Sequence, residues 1–268
     1  MKLSIGQAWV EASAFLMREA RLVAPVALAL FALPSALLNW AYPAGKQASA
    51  SGGAMLGLLL VFVAAMIGQM TIVQLSIGWH GSIGEAIGKV SKRVPSLIGA
   101  AVLVFAPLLL VFSIAIAAVL VAAGITDPAT ATPEAMMKLP SVSWLVMLFV
   151  LLILFVGVRM FPMSAIAANE QAGPIGLLKR SWALTRGQVG RILVLVLLLL
   201  LVVLVLNGAV TAVVGSVARL MLGEPLPFNL AALVIALAGG IVTALVSSVS
   251  AAMVGRAYVQ LSGDSAAA

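Results

Sequence analysis

Residues 189–218 read VGRILVLVLLLLLVVLVLNGAVTAVVGSVA, a run whose one charge is Arg191. A surface helix of a soluble protein keeps a polar face, whereas this segment is apolar all round from Ile192 to Leu206, the pattern of a helix in lipid or a deep core. A span needs about 20 mostly apolar residues to cross roughly 30 Å of hydrocarbon. Five further stretches meet that test: 22–42, 54–78, 96–124, 144–168 and 228–258. Several are longer than the minimum, which implies tilt or interfacial extension. Trp40, Tyr42, Trp79, Trp144 and Tyr258 fall at span ends, where amphipathic rings suit the membrane–water interface. The connections hold turn formers, among them Pro43, Gly52-Gly53, Asp127-Pro128, Pro140 and Gly223-Glu224-Pro225.

The composition agrees. The chain has 268 residues, 63% apolar and 9% charged, with a mean hydropathy of +1.22. Soluble domains are about 45–50% apolar and about 25% charged, so a soluble enzyme is excluded. The expected fold is an all-α integral membrane protein: six transmembrane helices in a single polytopic domain over 1–268, ending in a disordered tail at 261–268. Cysteine is absent, which excludes disulfides and thiolate chemistry. One histidine, His80, supplies no pair for a zinc site, and neither a metal nor a cofactor is expected. A net charge of +7 raises the question of nucleic acid, but 6% aromatic content and long uncharged runs do not fit a groove-reading module.

The excess charge has a simpler meaning. Threaded through six spans, 12 of the 15 basic residues fall on the side that holds both termini, leaving Lys46, Lys138 and Arg219 on the other. The positive-inside rule then places the N- and C-termini in the cytosol. The segments on that side are themselves patterned. Apolar residues recur at helical spacing in 3–16 (Ile5, Trp9, Ala12, Leu16), 83–98 (Ile83, Ile87, Val90, Val94, Leu97) and 175–189 (Ile175, Leu178, Trp182, Val189), with cations off that face. Such stretches read as amphipathic interfacial helices with basic faces toward headgroups. All three open alike, at Ser4-Ile5-Gly6, Ser82-Ile83-Gly84 and Pro174-Ile175-Gly176, and each precedes an outward and a returning span. The recurrence suggests a threefold repeat over 1–78, 79–170 and 171–260; abundant Ile and Gly also allow coincidence.

One segment carries a family resemblance. Residues 164–193 read SAIAANEQAGPIGLLKRSWALTRGQVGRIL. This resembles the membrane domain found with bacterial glycerophosphoryl diester phosphodiesterases and related six-span inner-membrane proteins of unknown function. The signature maps to Glu170, Gly173, Pro174, Lys179, Arg180, Ser181, Trp182, Leu184, Thr185 and Gly187, with Arg191 following. The resemblance implies a bacterial inner-membrane location. The phosphodiesterases also carry a soluble catalytic domain with paired His and metal-binding carboxylates, which the sequence here does not supply. The expectation is therefore the membrane domain alone, without enzymatic activity.

Local chemistry explains the signature in part. Gly173-Pro174 ends one helix and begins the next, Gly187 suits a helix stop, and Glu170 is near enough to offset a cation. Lys89, Lys92, Arg93, Lys179, Arg180, Arg186 and Arg191, with Trp182, are the candidate headgroup-facing residues, each cation adding roughly 1 kcal/mol near an anionic surface. Inside the spans, Arg159 is the outstanding charge. It either snorkels to the interface or, with Gln69, Gln74 and Asn207, lines a polar cavity. In the sixth span Ala232, Ala236, Gly240, Ala244, Ser248 and Ala252 recur every fourth residue, a spacing that lets helix backbones approach closely within one chain or in a homo-oligomer.

The residues thus point to a non-catalytic, lipid-interacting or scaffold component, whose partners are anionic membrane lipids and other membrane proteins rather than nucleic acid. The alternative is a transporter or channel for an anionic or amphipathic substrate, with its cavity at Arg159.

Overall fold

The computed structural model describes residues 3–43, 52–125, 136 and 139–263. Lys2, Lys46, Asp127, Glu134, Lys138 and Asp264 lie outside them, as does the tail from 264 onward. Within the described residues the only regular secondary structure is helix, and six helices are long and apolar enough to cross a membrane. This is a multi-pass membrane protein.

The first amphipathic helix is α1 (Ile5–Arg18), begun by Ser4, whose hydroxyl accepts from the Gln7 N–H. Span one follows as α2 (Ala20–Ala27), a π-helical turn (Leu28–Ala32) and α3 (Leu33–Ala41). Its irregularity has a local cause. Pro34 lacks the N–H that would bond the Leu30 carbonyl, and beside it the Ser35 hydroxyl donates to the carbonyls of Phe31 at 2.6 Å and Ala32 at 3.0 Å. Span two is α4 (Gly52–Gly78).

The second amphipathic helix, α5 (Ile83–Ser91), opens with a capping box between Ser82 and Glu85. It is shorter than the sequence pattern predicts. The chain turns at Lys92-Arg93, and Val94 to Ile98 already belong to span three, α6 (Val94–Ala122). Span four breaks at Phe161-Pro162 into α7 (Pro140–Met160) and the short α8 (Met163–Asn169). The third amphipathic helix is α9 (Pro174–Thr185), with Pro174 in its first turn. Span five, α10 (Val189–Leu222), runs four residues past its expected end and includes Arg219. Span six, α11 (Leu230–Ser262), likewise takes in Leu261 and Ser262, which the sequence pattern places in a disordered tail.

Span six is central. It packs against spans one, two and five and against α1 and α8. Its four-residue stripe of small side chains is buried from Ala232 to Ala252, as the spacing predicts. The approach is close enough to require glycine twice. A Cβ at Gly240 would stand 2.7 Å from the Ala32 carbonyl, and one at Gly255 would overlap the Ser76 hydroxyl. Span three differs: nothing in its most apolar window is buried, so its surface is left for lipid.

The neighbour order recurs three times. Span one lies between spans two and six, span three between four and two, and span five between six and four. In each case the outward span touches its own returning partner and the returning span of the preceding unit. The returning spans meet in the middle, where α8 is almost wholly buried.

Candidate interfacial site

The three amphipathic helices gather at the end of the bundle where the first and last described segments meet; Leu3 is buried with Ile192 and Ala257, and Leu261 packs against them. The cations at this basic end fall into two groups that differ in what holds them.

Arg93 belongs to the first group. Its Nη1 donates to the carbonyls of Ala167 (3.1 Å), Ala168 (2.8 Å) and Glu170 (3.4 Å). The Ala167 and Ala168 carbonyls belong to the last turn of α8, whose final carbonyls have no helical donor, while that of Glu170 also accepts from the Ala172 N–H at 3.1 Å; a guanidinium there satisfies the helix end and opposes the negative end of its dipole. The carboxylate of Glu170, just beyond, accepts at one oxygen from Arg180 Nε at 3.1 Å and from the Tyr258 hydroxyl at 2.9 Å. Tyr258 is buried on span six, so this loop ties α9 to the central helix. The Arg180–Glu170 pair is itself solvent-accessible and worth no more than about 1 kcal/mol. Arg191 reaches back from the start of span five to the Leu3 carbonyl at 3.2 Å. A pit of about 260 Å³ lies beside this clasp, lined by Arg93, Ser96, Glu170, Gln171 and Gly173.

Arg159 is held differently. Its guanidinium lies 4.9 Å from the Trp182 ring centroid and 5.5 Å from that of Phe155, and Nη1 donates to the Thr185 hydroxyl at 3.2 Å and the Trp182 carbonyl at 3.4 Å. Among the described residues no carboxylate pairs with it. The aromatic faces take that place, attracting the cation through their quadrupoles, while Nε is buried without a partner. The Ser181 hydroxyl donates to the Arg159 carbonyl at 2.5 Å, which serves a backbone group next to the Pro162 break. Ser181, Trp182 and Thr185 therefore dock α9 onto span four. Gly187 closes the unit at φ +78°, a left-handed turn that suits glycine.

The second group faces outward. Lys92, Lys179 and Arg186 are exposed and have no hydrogen-bond or ion-pair partner among the described residues. Lys89 is intermediate: half-buried, with Nζ 4.8 Å from the Trp79 ring centroid. Burial, and then the charge of Arg93, hold its pKa below the ordinary lysine value. Trp9 and Trp182 are also exposed at this end, at 50% and 45%.

A family model matches residues 3–261, nearly the whole described chain, and its description is "Domain of unknown function (DUF7847)". The chain belongs to that family. No curated protein and no solved structure matches it. The matched region begins and ends on Leu3 and Leu261, so it takes in all three amphipathic helices and all six spans of this family member.

The four polar residues that the sequence groups into one cavity are not brought together. Arg159 is at the basic end, against α9. Gln74 is buried in span two with both side-chain polar atoms unpartnered, and Gln69 is half-buried on the same helix. Asn207 is exposed on span five, 18 residues past Val189, or about 27 Å along the helix axis. Its amide back-bonds to the Val203 carbonyl at 2.9 Å. The sequence reading missed Tyr258 as a partner of Glu170, having placed it only in the aromatic belt, and missed Gln260, which accepts from the Ser4 N–H at 2.9 Å. Neither pairing has a local signal, since the residues are 88 and 256 positions apart. Among the described residues no group of three or more His, Asp or Glu side chains is placed to hold a metal ion.

Proposed function

We propose that this protein is a non-catalytic component of a bacterial inner membrane that engages anionic lipid through the basic end of its bundle, with both termini in the cytosol. The observation that carries the reading is the division of the cations. Arg93, Arg159, Arg180 and Arg191 are used in holding the amphipathic helices in place, whereas Lys92, Lys179 and Arg186 stand outward and unpaired beside exposed tryptophan. Such cations gain from a phosphate-rich surface what the protein itself does not supply. The resemblance of residues 164–193 to the phosphodiesterase membrane domain supports the same reading, and the recurring neighbour order supports a threefold repeat of amphipathic helix and hairpin.

The test compares the wild-type chain with Lys92/Lys179/Arg186→Gln in nanodiscs of phosphatidylcholine doped with phosphatidylglycerol. Enrichment of the anionic lipid around wild type should fall several-fold in the triple variant, since each cation contributes roughly 1 kcal/mol. Equal enrichment would defeat the reading. A C-terminal green fluorescent protein fusion should fluoresce, and an alkaline phosphatase fusion at the same point should be inactive.

A further inference from the structure

The end of the bundle away from the amphipathic helices contains a crevice of about 200 Å³ between spans one, five and six. Its span-five wall is a single helix face, because Asn207, Thr211, Gly215 and Arg219 follow at four-residue intervals. Across from it span six presents small side chains. Their size is what leaves the space: a Cβ at Gly239 would meet nothing within 4 Å, and one at Gly215 would only touch Thr211 at 4.0 Å. One position further on, Gly240 lies hard against span one. Spans one and six are thus locked together at Gly240, while the small residues at Gly215 and Gly239 leave a local gap between spans five and six.

Two features define what would fill the gap. Asn207 is mid-span and exposed on the outer face of the bundle; it back-bonds one amide hydrogen to Val203 and has no other partner among the described residues. Hydrocarbon offers nothing to the remaining groups, so the face needs a polar occupant. Arg219 is 12 residues further along, about 18 Å toward the far interface. It is exposed and has no ion-pair partner among the described residues. The occupant is therefore polar along its length and anionic at its outer end, and because these residues are exposed between helices it can enter sideways from the membrane.

We infer that this crevice binds the phosphodiester headgroup of an anionic phospholipid from the leaflet opposite the basic end, Arg219 meeting the phosphate and Thr211 and Asn207 the glycerol and ester oxygens. The site shares no residue with the basic end and stands without the lipid-engagement proposal made there.

Native mass spectrometry of the purified chain titrated with dioleoyl phosphatidylglycerol tests this, with dioleoyl phosphatidylcholine in parallel and inorganic phosphate as competitor. Arg219→Gln should weaken the tightest phosphatidylglycerol site about tenfold, as loss of one charge-assisted hydrogen-bonding group implies. Gly239→Leu, which fills the crevice, should do the same. Asn207→Leu is expected to fold normally, with unchanged elution, and still to bind less. Lys92/Lys179/Arg186→Gln should leave this site unchanged even if it abolishes enrichment at the basic end. Unaltered binding in Arg219→Gln and Asn207→Leu, or equal binding of phosphatidylcholine, would overturn the inference. Full displacement by inorganic phosphate would also overturn it, since the ligand would then be a soluble anion.

Discussion

The two ends of the bundle handle polar groups in opposite ways. At the basic end, helices distant in sequence are clasped together by guanidinium groups on carbonyls and aromatic faces, and α8 is buried in their midst. At the other end spans one, five and six border a crevice, and Arg219 and Asn207 line it. The contrast shows how a chain with so few charges uses them. Where three amphipathic helices supply backbone ends in need of donors, cations become structural; at the other end small residues control the spacing, and Arg219 has no ion-pair partner among the described residues.

The largest expected effect sharpens this contrast within two adjacent residues. Arg93→Ala removes the shared donor from three carbonyls and should lower stability by about 2–3 kcal/mol, read as thermal unfolding in detergent. Lys92→Ala should stay within about 0.5 kcal/mol. Equal effects would break the division between clasping and outward cations. Gly255→Val, which forces a side chain onto Ser76 in the contact between spans two and six, should cost about 1–3 kcal/mol. Arg159→Met deletes two hydrogen bonds and two cation–π contacts and should cost about 1–2 kcal/mol. Arg159→Lys should recover little of that, because an ammonium cannot stack as a planar fork does. Gln74→Leu should be neutral or stabilising, as it removes a buried amide without partners; a marked loss would reveal a partner bound there in the membrane.

The smallest effect concerns Lys89. Its titration midpoint, followed by NMR of the ε-methylene group, should lie below that of free lysine, and Arg93→Gln should restore only the lesser part of the difference, since burial is the larger cause. The folded chain binds this proton less tightly than the unfolded chain. The group's contribution to stability therefore rises with pH across the interval between the lowered and the ordinary pKa.

Much of the fold was legible because lipid imposes a simple rule: backbone polar groups must be satisfied within each helix, so every crossing is a long apolar run. The small-residue stripe of span six and the stop at Gly187 were legible for a related reason, being local requirements of close approach and of positive φ. The breaks were less so. The shortening of α5 at Lys92-Arg93 depends on Val94 and Leu97 being buried in the bundle rather than lying along its surface.

Sequence alone thus determined the class of solvent, the six spans, the amphipathic helices and the side of the bundle on which charge accumulates, since each follows from composition and spacing along one helix. Tertiary structure alone decided what each cation does. Arg93 and Lys92 are neighbours with the same charge and the same local pattern, yet one caps α8, 74 to 77 positions away, while the other meets solvent. It likewise separated Arg159 from Asn207, and opened a crevice where Gly239 faces span five while closing the contact at Gly240. These outcomes depend on which surfaces meet across the bundle, and the periodicity of a single helix carries no information about its neighbours.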